Sequence, residues 1–269
     1  SQRGLEVVAA YTAGDHRVQM CYSFDFLAPE KISGPKVRSV LEAFGRVASD
    51  GWSCWAFSNH DVMRHASRWA AGETDRTAYL KVISALLMSL RGSVCLYQGE
   101  ELGLGEANLA FEDLQDPYGI RFWPEFKGRD GCRTPMVWDD SRPNAGFSTG
   151  KPWLPVPQDH LPLSVARQEG DRNSLLEHYR RFLAFRRANQ SLAKGDIEFL
   201  AVEGDAIAFA RREGNEQIVC AFNLGNEPVV LDLGGDRSMQ ALAGHGFSGK
   251  AESGAIRLGS YGAWFGRLA

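Results

Sequence analysis

Few of the features that announce a function at once are present in this sequence. Its 269 residues hold only five cysteines, Cys21, Cys54, Cys95, Cys132 and Cys220. The number is odd and no CxxC pair occurs, which excludes a closed disulfide framework and leaves no zinc-ligand spacing. The cysteines read as free buried thiols of a reducing compartment, hence a cytoplasmic protein. No run approaches the roughly 18 consecutive apolar residues of a membrane span, so no membrane partner is expected. Basic residues are scattered and the formal net charge is -3, which leaves no electrostatic footprint for nucleic acid and points to a neutral or weakly charged ligand. Internal repeats and low-complexity blocks are also missing. What is present is an ordinary globular composition, 44% hydrophobic, enough for one large domain or two smaller ones.

The patterning changes character near 189–195. Before it, apolar runs alternate with segments of helical period. Residues 17–27, 53–59 and 93–98 read as strands. Between them, 35–49 places Val37, Val40, Leu41, Phe44 and Val47 at helical spacing after Pro35, and 74–90 does the same through Tyr79, Val82, Ile83, Leu86, Leu87 and Leu90, with Gly92 as its stop. Strand, helix, strand, helix, strand predicts parallel pairing with helical crossovers. Residues 99–171 carry no sustained period, and loops that long are usually functional. A helix returns over 174–189. From Ile197 the period becomes two, over 197–202, 206–211, 217–222, 229–233 and 255–258, punctuated by Gly204-Asp205, Gly214-Asn215, Gly225-Asn226 and Gly234-Gly235. That pattern predicts a small antiparallel β-sandwich.

The second strand ends in Asn59-His60-Asp61, and polar residues at the carboxyl ends of parallel strands line the active face of α/β barrels. Taken alone, the tripeptide is also a plain loop in which Asp61 caps the next helix and His60 is satisfied locally. However, Phe57-Ser58-Asn59-His60-Asp61 followed by Arg64 resembles the fourth sequence motif of the α-amylase superfamily, glycoside hydrolase family 13. Gln98-Gly99-Glu100-Glu101-Leu102-Gly103 resembles the exit of the eighth barrel strand in its α-glucosidases and oligo-1,6-glucosidases. Arg129-Asp130-Gly131-Cys132-Arg133-Thr134-Pro135-Met136 with Trp138 is similar to a signature of that subgroup, as are Asn144-Ala145-Gly146-Phe147-Ser148 and Lys151-Pro152-Trp153-Leu154-Pro155. The blocks stand in the family's order and cover most of the chain, from Tyr22 to Ala263.

The resemblance implies the carboxyl-terminal portion of a (β/α)8 TIM barrel, strands six to eight, in residues 1–194, followed by a β-sandwich domain in 195–269. It implies a retaining α-glucosidase acting on α-glucoside oligosaccharides without a cofactor. Retention needs a carboxyl nucleophile and a carboxyl acid/base about 5–5.5 Å apart. In the family these follow the fourth and fifth strands, so both are expected before Ser1, and the chain is expected to be inactive alone. Asp61 matches the third carboxylate, the transition-state stabiliser, whose hydrogen bonds to sugar hydroxyls strengthen as charge develops. His60 and Arg129 match substrate contacts on the same sugar, with Arg129 attracting the Asp61 charge. Asn59, Arg64, Glu100 and Arg133 are supporting residues: Arg64 is expected to partner nearby carboxylates, Glu100 to be solvated or paired, and Arg133 to tie down the long loop. Phe122, Trp123, Phe126, Phe147 and Trp153 suit sugar-stacking walls, although each taken singly also fits ordinary packing. The family's metal loop follows the first barrel strand, so no metal is expected here. Residues 5–11 look like the helix after the fifth strand. Three parallel strands leave open edges, so the chain is expected to need the missing amino-terminal half or a second copy. Two other readings stay open: a transglycosylating or isomerising relative, such as a sucrose hydrolase or trehalose synthase, and a non-catalytic carbohydrate-binding or scaffold module.

Overall fold

Three short parallel strands, β1 (Cys21–Tyr22), β2 (Ser53–Trp55) and β3 (Ser93–Val94), form one sheet in the order β1-β2-β3, as the alternation of strands and helices predicts. This computed structural model describes residues 2–14, 16–48, 51–235 and 238–268. Ser1 and Ala269, the outer bounds of the expected domains, and Ser49, the expected helix end, lie outside the described residues. Contacts divide the chain into two compact units that interleave in sequence: one comprises Ser1–Ala56, Glu73–Cys95 and Arg180–Ala269, the other Phe57–Gly72 and Leu96–Tyr179.

In the first unit each crossover helix forms where its apolar spacing predicts. Ser33 caps the helix Gly34–Val47 by accepting from the Lys36 amide, with Pro35 in the first turn, and Val37, Val40, Leu41 and Phe44 are buried. Asp75 caps the helix Arg76–Leu87, accepting from the Ala78 amide at 2.9 Å, which supplies one of the unpaired donors of the first turn. This helix buries eight of its residues, every one from Tyr79 to Leu87 except Lys81, so it is a core helix and not an amphipathic surface one. It ends at Leu87, five residues short of Gly92. Gly92 serves a close approach instead: a Cβ there would lie 2.6 Å from the Ser53 carbonyl oxygen. The strands are shorter than their apolar runs because burial continues past the last paired residue, with Ala56 following β2 fully buried.

The carboxyl-terminal strands are β4 (Asp196–Glu203), β5 (Ala206–Glu213), β6 (Glu216–Asn223), β7 (Val229–Asp232), β8 (Met239–Ala241), β9 (Lys250–Glu252), β10 (Ala255–Leu258) and β11 (Ala263–Leu268). They form a five-stranded sheet, β4-β5-β6-β11-β8, and a three-stranded sheet, β7-β10-β9. Every pairing in both is antiparallel. Ala208, Val219 and Trp264 of the larger sheet share one apolar cluster with Leu231, Ile256 and Leu258 of the smaller. On its other face the larger sheet meets an aromatic cluster, in which Phe265 lies 5.4 Å from both Phe182 and Phe185 and 5.5 Å from Phe222. The period-two reading finds β4 to β7 and β10 but not β8 and β9, which at three residues each are too short to show a period, nor β11. Trp264 and Phe265 are adjacent and buried on opposite faces, so alternation between apolar and polar disappears there.

A buried cation joins these layers. Arg211 on β5 is fully buried and donates to the carbonyls of Ser89, Leu192, Gly195 and Asp196. Burial pulls its guanidinium down to about 10, because desolvation disfavours the charged form. All five cysteines are free, with Cys54, Cys132 and Cys220 buried. Cys95 departs from expectation by being exposed.

The second unit holds the expected long loop. It contains short helical turns, such as Glu100–Leu102, Pro117–Arg121, Asp130–Cys132, Gln158–Leu163 and Val165–Gln168. Two small apolar clusters support it, one around Leu102, Leu104, Val137, Ala145 and Leu176, the other around Ala107, Leu109, Leu114 and Leu154. Side chains replace the missing ladders: the Gln168 amide donates to the Leu102 and Leu163 carbonyls and accepts from the Leu176 amide.

Candidate active site

The segment carrying Asp61 is a loop clamped at both ends. Ser58 accepts from the His65 backbone amide at 2.8 Å, and its hydroxyl lies 2.9 Å from His65 Nδ1. His65 is buried beside Phe57 and Trp69. Arg68 donates to the carbonyls of Met63 and Phe57. At the apex, Asn59 Oδ1 accepts from the Asp61 amide at 2.8 Å, the local turn that Asn side chains favour. The next helix, His65–Arg68, has Arg64 at its cap position with no side-chain cap bond. Asp61 therefore does not cap that helix.

Asp61 is 44% exposed, and its two oxygens have different surroundings. Oδ1 accepts from Arg129 Nη1 at 3.0 Å and from Arg133 Nη2 at 3.1 Å. Oδ2 faces His60 Nε2 at 3.4 Å. Arg133 also donates from Nε to the His60 carbonyl at 2.7 Å, so it fixes the backbone and the carboxylate together. One carboxylate oxygen is thus saturated by two guanidiniums, and the other keeps capacity for hydroxyl groups.

Arg129 is itself held from behind. Its Nε and Nη2 form a bidentate pair with Asp116 at 2.8 and 3.0 Å, and its backbone amide donates to the same carboxylate at 2.9 Å. Asp116 is buried and also caps the turn Pro117–Arg121. The Arg129 side chain, and then backbone amides, hold the Asp116 carboxyl well below the usual carboxylate range, against the opposing effect of burial. Asp116 and Asp61 in turn keep the Arg129 guanidinium more firmly protonated than usual. Asp130, fully buried, accepts from the Gln115 and Asp116 amides at 2.6 and 2.7 Å. The order Asp130, Asp116, Arg129, Asp61 runs from the interior to the exposed carboxylate, each group aiming the next.

Asn59, His60, Asp61, Arg129 and Arg133 are thus brought together. Arg64 and Glu100 are not part of that exposed group. Arg64 is 1% exposed, donates to the Gln98 carbonyl and lies over the Tyr97 ring at 5.0 Å. Carboxylates stand near it as expected, Glu106 accepting from the Arg64 backbone amide at 3.3 Å and both Glu106 and Glu100 acting on the guanidinium through space, while the direct hydrogen bond of the guanidinium goes to a carbonyl. Glu100 is 2% exposed with Oε1 3.2 Å from His65 Nδ1, paired and not solvated. Sequence reasoning misses Asp116, Asp130 and His65. The signal for Asp116 is the Asp-Pro step that opens a helical turn, while nothing local distinguishes His65. Among the described residues, no group of three or more His, Cys, Asp or Glu side chains is placed to hold a metal ion.

Comparison with known proteins places this arrangement in context. The family model for the alpha amylase catalytic domain matches residues 3–195. A probable alpha-glucosidase of Rhizobium meliloti is 56% identical over 269 residues, all of this chain and 48% of that protein. An oligo-1,6-glucosidase of Heyndrickxia coagulans is 30% identical over 262 residues, 85% of this chain and 47% of that protein. The crystal structure of the alpha-glucosyl transfer enzyme XgtA superposes with a TM-score of 0.88 at 43% identity, covering 97% of this chain and 48% of that one. The chain spans about half the length of the curated relatives it matches.

Proposed function

The chain belongs to the alpha-amylase family, and from that premise we propose that it is one part of a retaining α-glucosidase, supplying the transition-state stabiliser Asp61. The observation that carries this reading is the asymmetry of the Asp61 carboxylate: Oδ1 is bound by Arg129 and Arg133, and Oδ2 is left with His60 on the exposed side. In glycoside cleavage the anomeric centre and ring oxygen gain positive charge as the leaving oxygen departs. A carboxylate fixed before that charge appears stabilises it without reorganisation. Arg129 and Arg133 hold the rotamer, while Asp61 Oδ2 and His60 meet the hydroxyls of the terminal glucose. The nucleophilic aspartate and the acid/base glutamate come from polypeptide outside this sequence. In the same proposal β1 to β3 are strands six to eight of the (β/α)8 barrel in residues 1–194, and 195–269 form the β-sandwich domain. The partner is the complementary barrel half or a second copy, and the substrate is an α-glucoside oligosaccharide.

A second reading, glucosyl transfer to a sugar acceptor, is favoured by the 43% identity to an alpha-glucosyl transfer enzyme. The two differ in what attacks the glycosyl intermediate, water or a sugar hydroxyl. Product analysis with maltose, isomaltose, sucrose and trehalose, using the chain combined with the complementary half, separates them. Free glucose as main product supports hydrolysis; larger or isomeric sugars without appreciable glucose overturn it. The chain alone is expected to release no measurable p-nitrophenol from p-nitrophenyl α-glucoside, and turnover by it alone contradicts the assignment of Asp61.

A further inference from the structure

The loop carrying Asn144-Ala145-Gly146-Phe147-Ser148 and Lys151-Pro152-Trp153-Leu154-Pro155 plays no part in the group around Asp61, yet it builds one wall of a cleft of about 410 Å3. Trp153 lines this cleft and is 61% exposed. Indole left so open while its neighbour Leu154 is 1% exposed is placed for a flat apolar surface to lie against it.

The wall is built to keep its shape. Asn144 and Ala145 both adopt φ of 52°, left-handed backbone that non-glycine residues rarely enter. That conformation persists because the Ala145 carbonyl accepts from the amides of both Trp138 and Asp139, and the Asn144 side chain donates to the Ser148 and Gly150 carbonyls. Pro152 and Pro155 flank the indole and restrict its backbone further.

The polar lining sorts into engaged and available groups. Asp140 is engaged by Ser164 and Arg167, and Arg142 by Asp139. Glu112, Asp113, Lys151 and Gln158 also line the cleft. All four are exposed, and their side chains make no hydrogen bond or ion pair among the described residues. Carboxylates, an ammonium and an amide around an open indole offer acceptors and donors together, with one carboxylate charge unmatched by the ammonium. This is a lining for a neutral polyhydroxylated ring, whose hydroxyls both donate and accept and whose C–H face is flat. It is poorly suited to a phosphate or another anion, since its free groups include two carboxylates.

We propose that this cleft is a second carbohydrate-binding site, in which Trp153 stacks on a pyranose of a gluco-oligosaccharide and Glu112, Asp113, Lys151 and Gln158 bind its hydroxyls. The choice of glucose units rests on the function proposed above; the site itself does not, because Asp61, His60, Arg129 and Arg133 are not among its lining residues.

The test is a fluorescence titration of the 269-residue chain with maltotriose, isomaltotriose and, as a sugar of another class, chitotriose. Either glucose trimer is expected to bind saturably. Trp153→Ala should weaken that binding about tenfold or more and Trp153→Phe by less. Asp61→Asn should leave it within about twofold, so loss of the catalytic reading and loss of this site register separately. Far-ultraviolet circular dichroism verifies that each variant keeps its fold; because Trp153 is exposed, both substitutions should. Equal binding by the unaltered chain and Trp153→Ala, or no saturable binding by the unaltered chain, overturns the proposal. Saturation by chitotriose alone overturns the ligand assignment.

Discussion

In the unit made of 1–56, 73–95 and 180–269, shape comes from repetition: paired strands, core helices and an apolar cluster in which Trp264, Leu231 and Ile256 meet. In the unit made of 57–72 and 96–179, few residues repeat a conformation, and shape comes from individual polar contacts such as Asp116 with Arg129 and Gln168 with three backbone groups. The first arrangement tolerates exchange of one apolar residue for another of similar volume. The second fixes particular atoms in particular places, which is what a site that stabilises charge requires. Regular structure shapes the first unit by repetition, and individual polar contacts aim one carboxylate in the second.

This contrast can be broken most severely at Asp61. In the chain combined with its complementary half, Asp61→Asn should lower kcat by about 10³-fold or more while changing KM much less, the result expected of an interaction made in the transition state, as proposed. A fall confined to KM would reduce Asp61 to a binding residue. The corresponding test of the regular unit is Arg211→Met, which takes this donor from the Ser89, Gly195 and Asp196 carbonyls and leaves that of Leu192 to Arg186. It should cost about 3 kcal/mol in urea unfolding, and a loss under about 1 kcal/mol would show that water replaces the guanidinium easily.

A smaller effect is expected from Asp116→Asn, which keeps the shape of the side chain but removes its charge. Catalysis should fall about 10- to 100-fold and the melting temperature at pH 7 should fall as well, because Arg129 loses its orientation and the fold loses a buried ionic partner. The same residue sharpens the comparison through pH. Its folded carboxyl is held below the range it has in the unfolded chain, so between those two ranges the folded state binds fewer protons. Stability is then fully present above about pH 4 and lost as pH falls below it. Melting temperatures measured from pH 6 to pH 2 should fall more steeply for the unaltered chain than for Asp116→Asn. Parallel curves would remove Asp116 from the acid response.

What the sequence discloses follows the same division. The parallel strand order, the helices capped by Ser33 and Asp75, and the hairpins of β4 to β6 are legible because one period dominates each segment. β11 is not, because Trp264 and Phe265 are buried on opposite faces. Residues 99–171 have no period at all, so their organisation can be read only from motifs. Asn59, His60, Asp61, Arg129 and Arg133 were reachable that way. Asp116 and Asp130 were not, since what matters in each is a partner 13 or 14 residues away, and a loop conformation decides that distance. Arg64 and Glu100 are polar residues beside the motif that fold inward, and burial cannot be inferred from adjacency.

The central claim is that Asp61 Oδ2, left open while two guanidiniums hold Oδ1, meets positive charge on the reacting sugar. Calorimetric titration of the combined protein with a cationic glucose-configured iminosugar and with neutral glucose tests this directly. Asp61→Asn should weaken the cation about 100-fold or more while weakening glucose about tenfold or less. Equal losses for the two ligands would contradict the account.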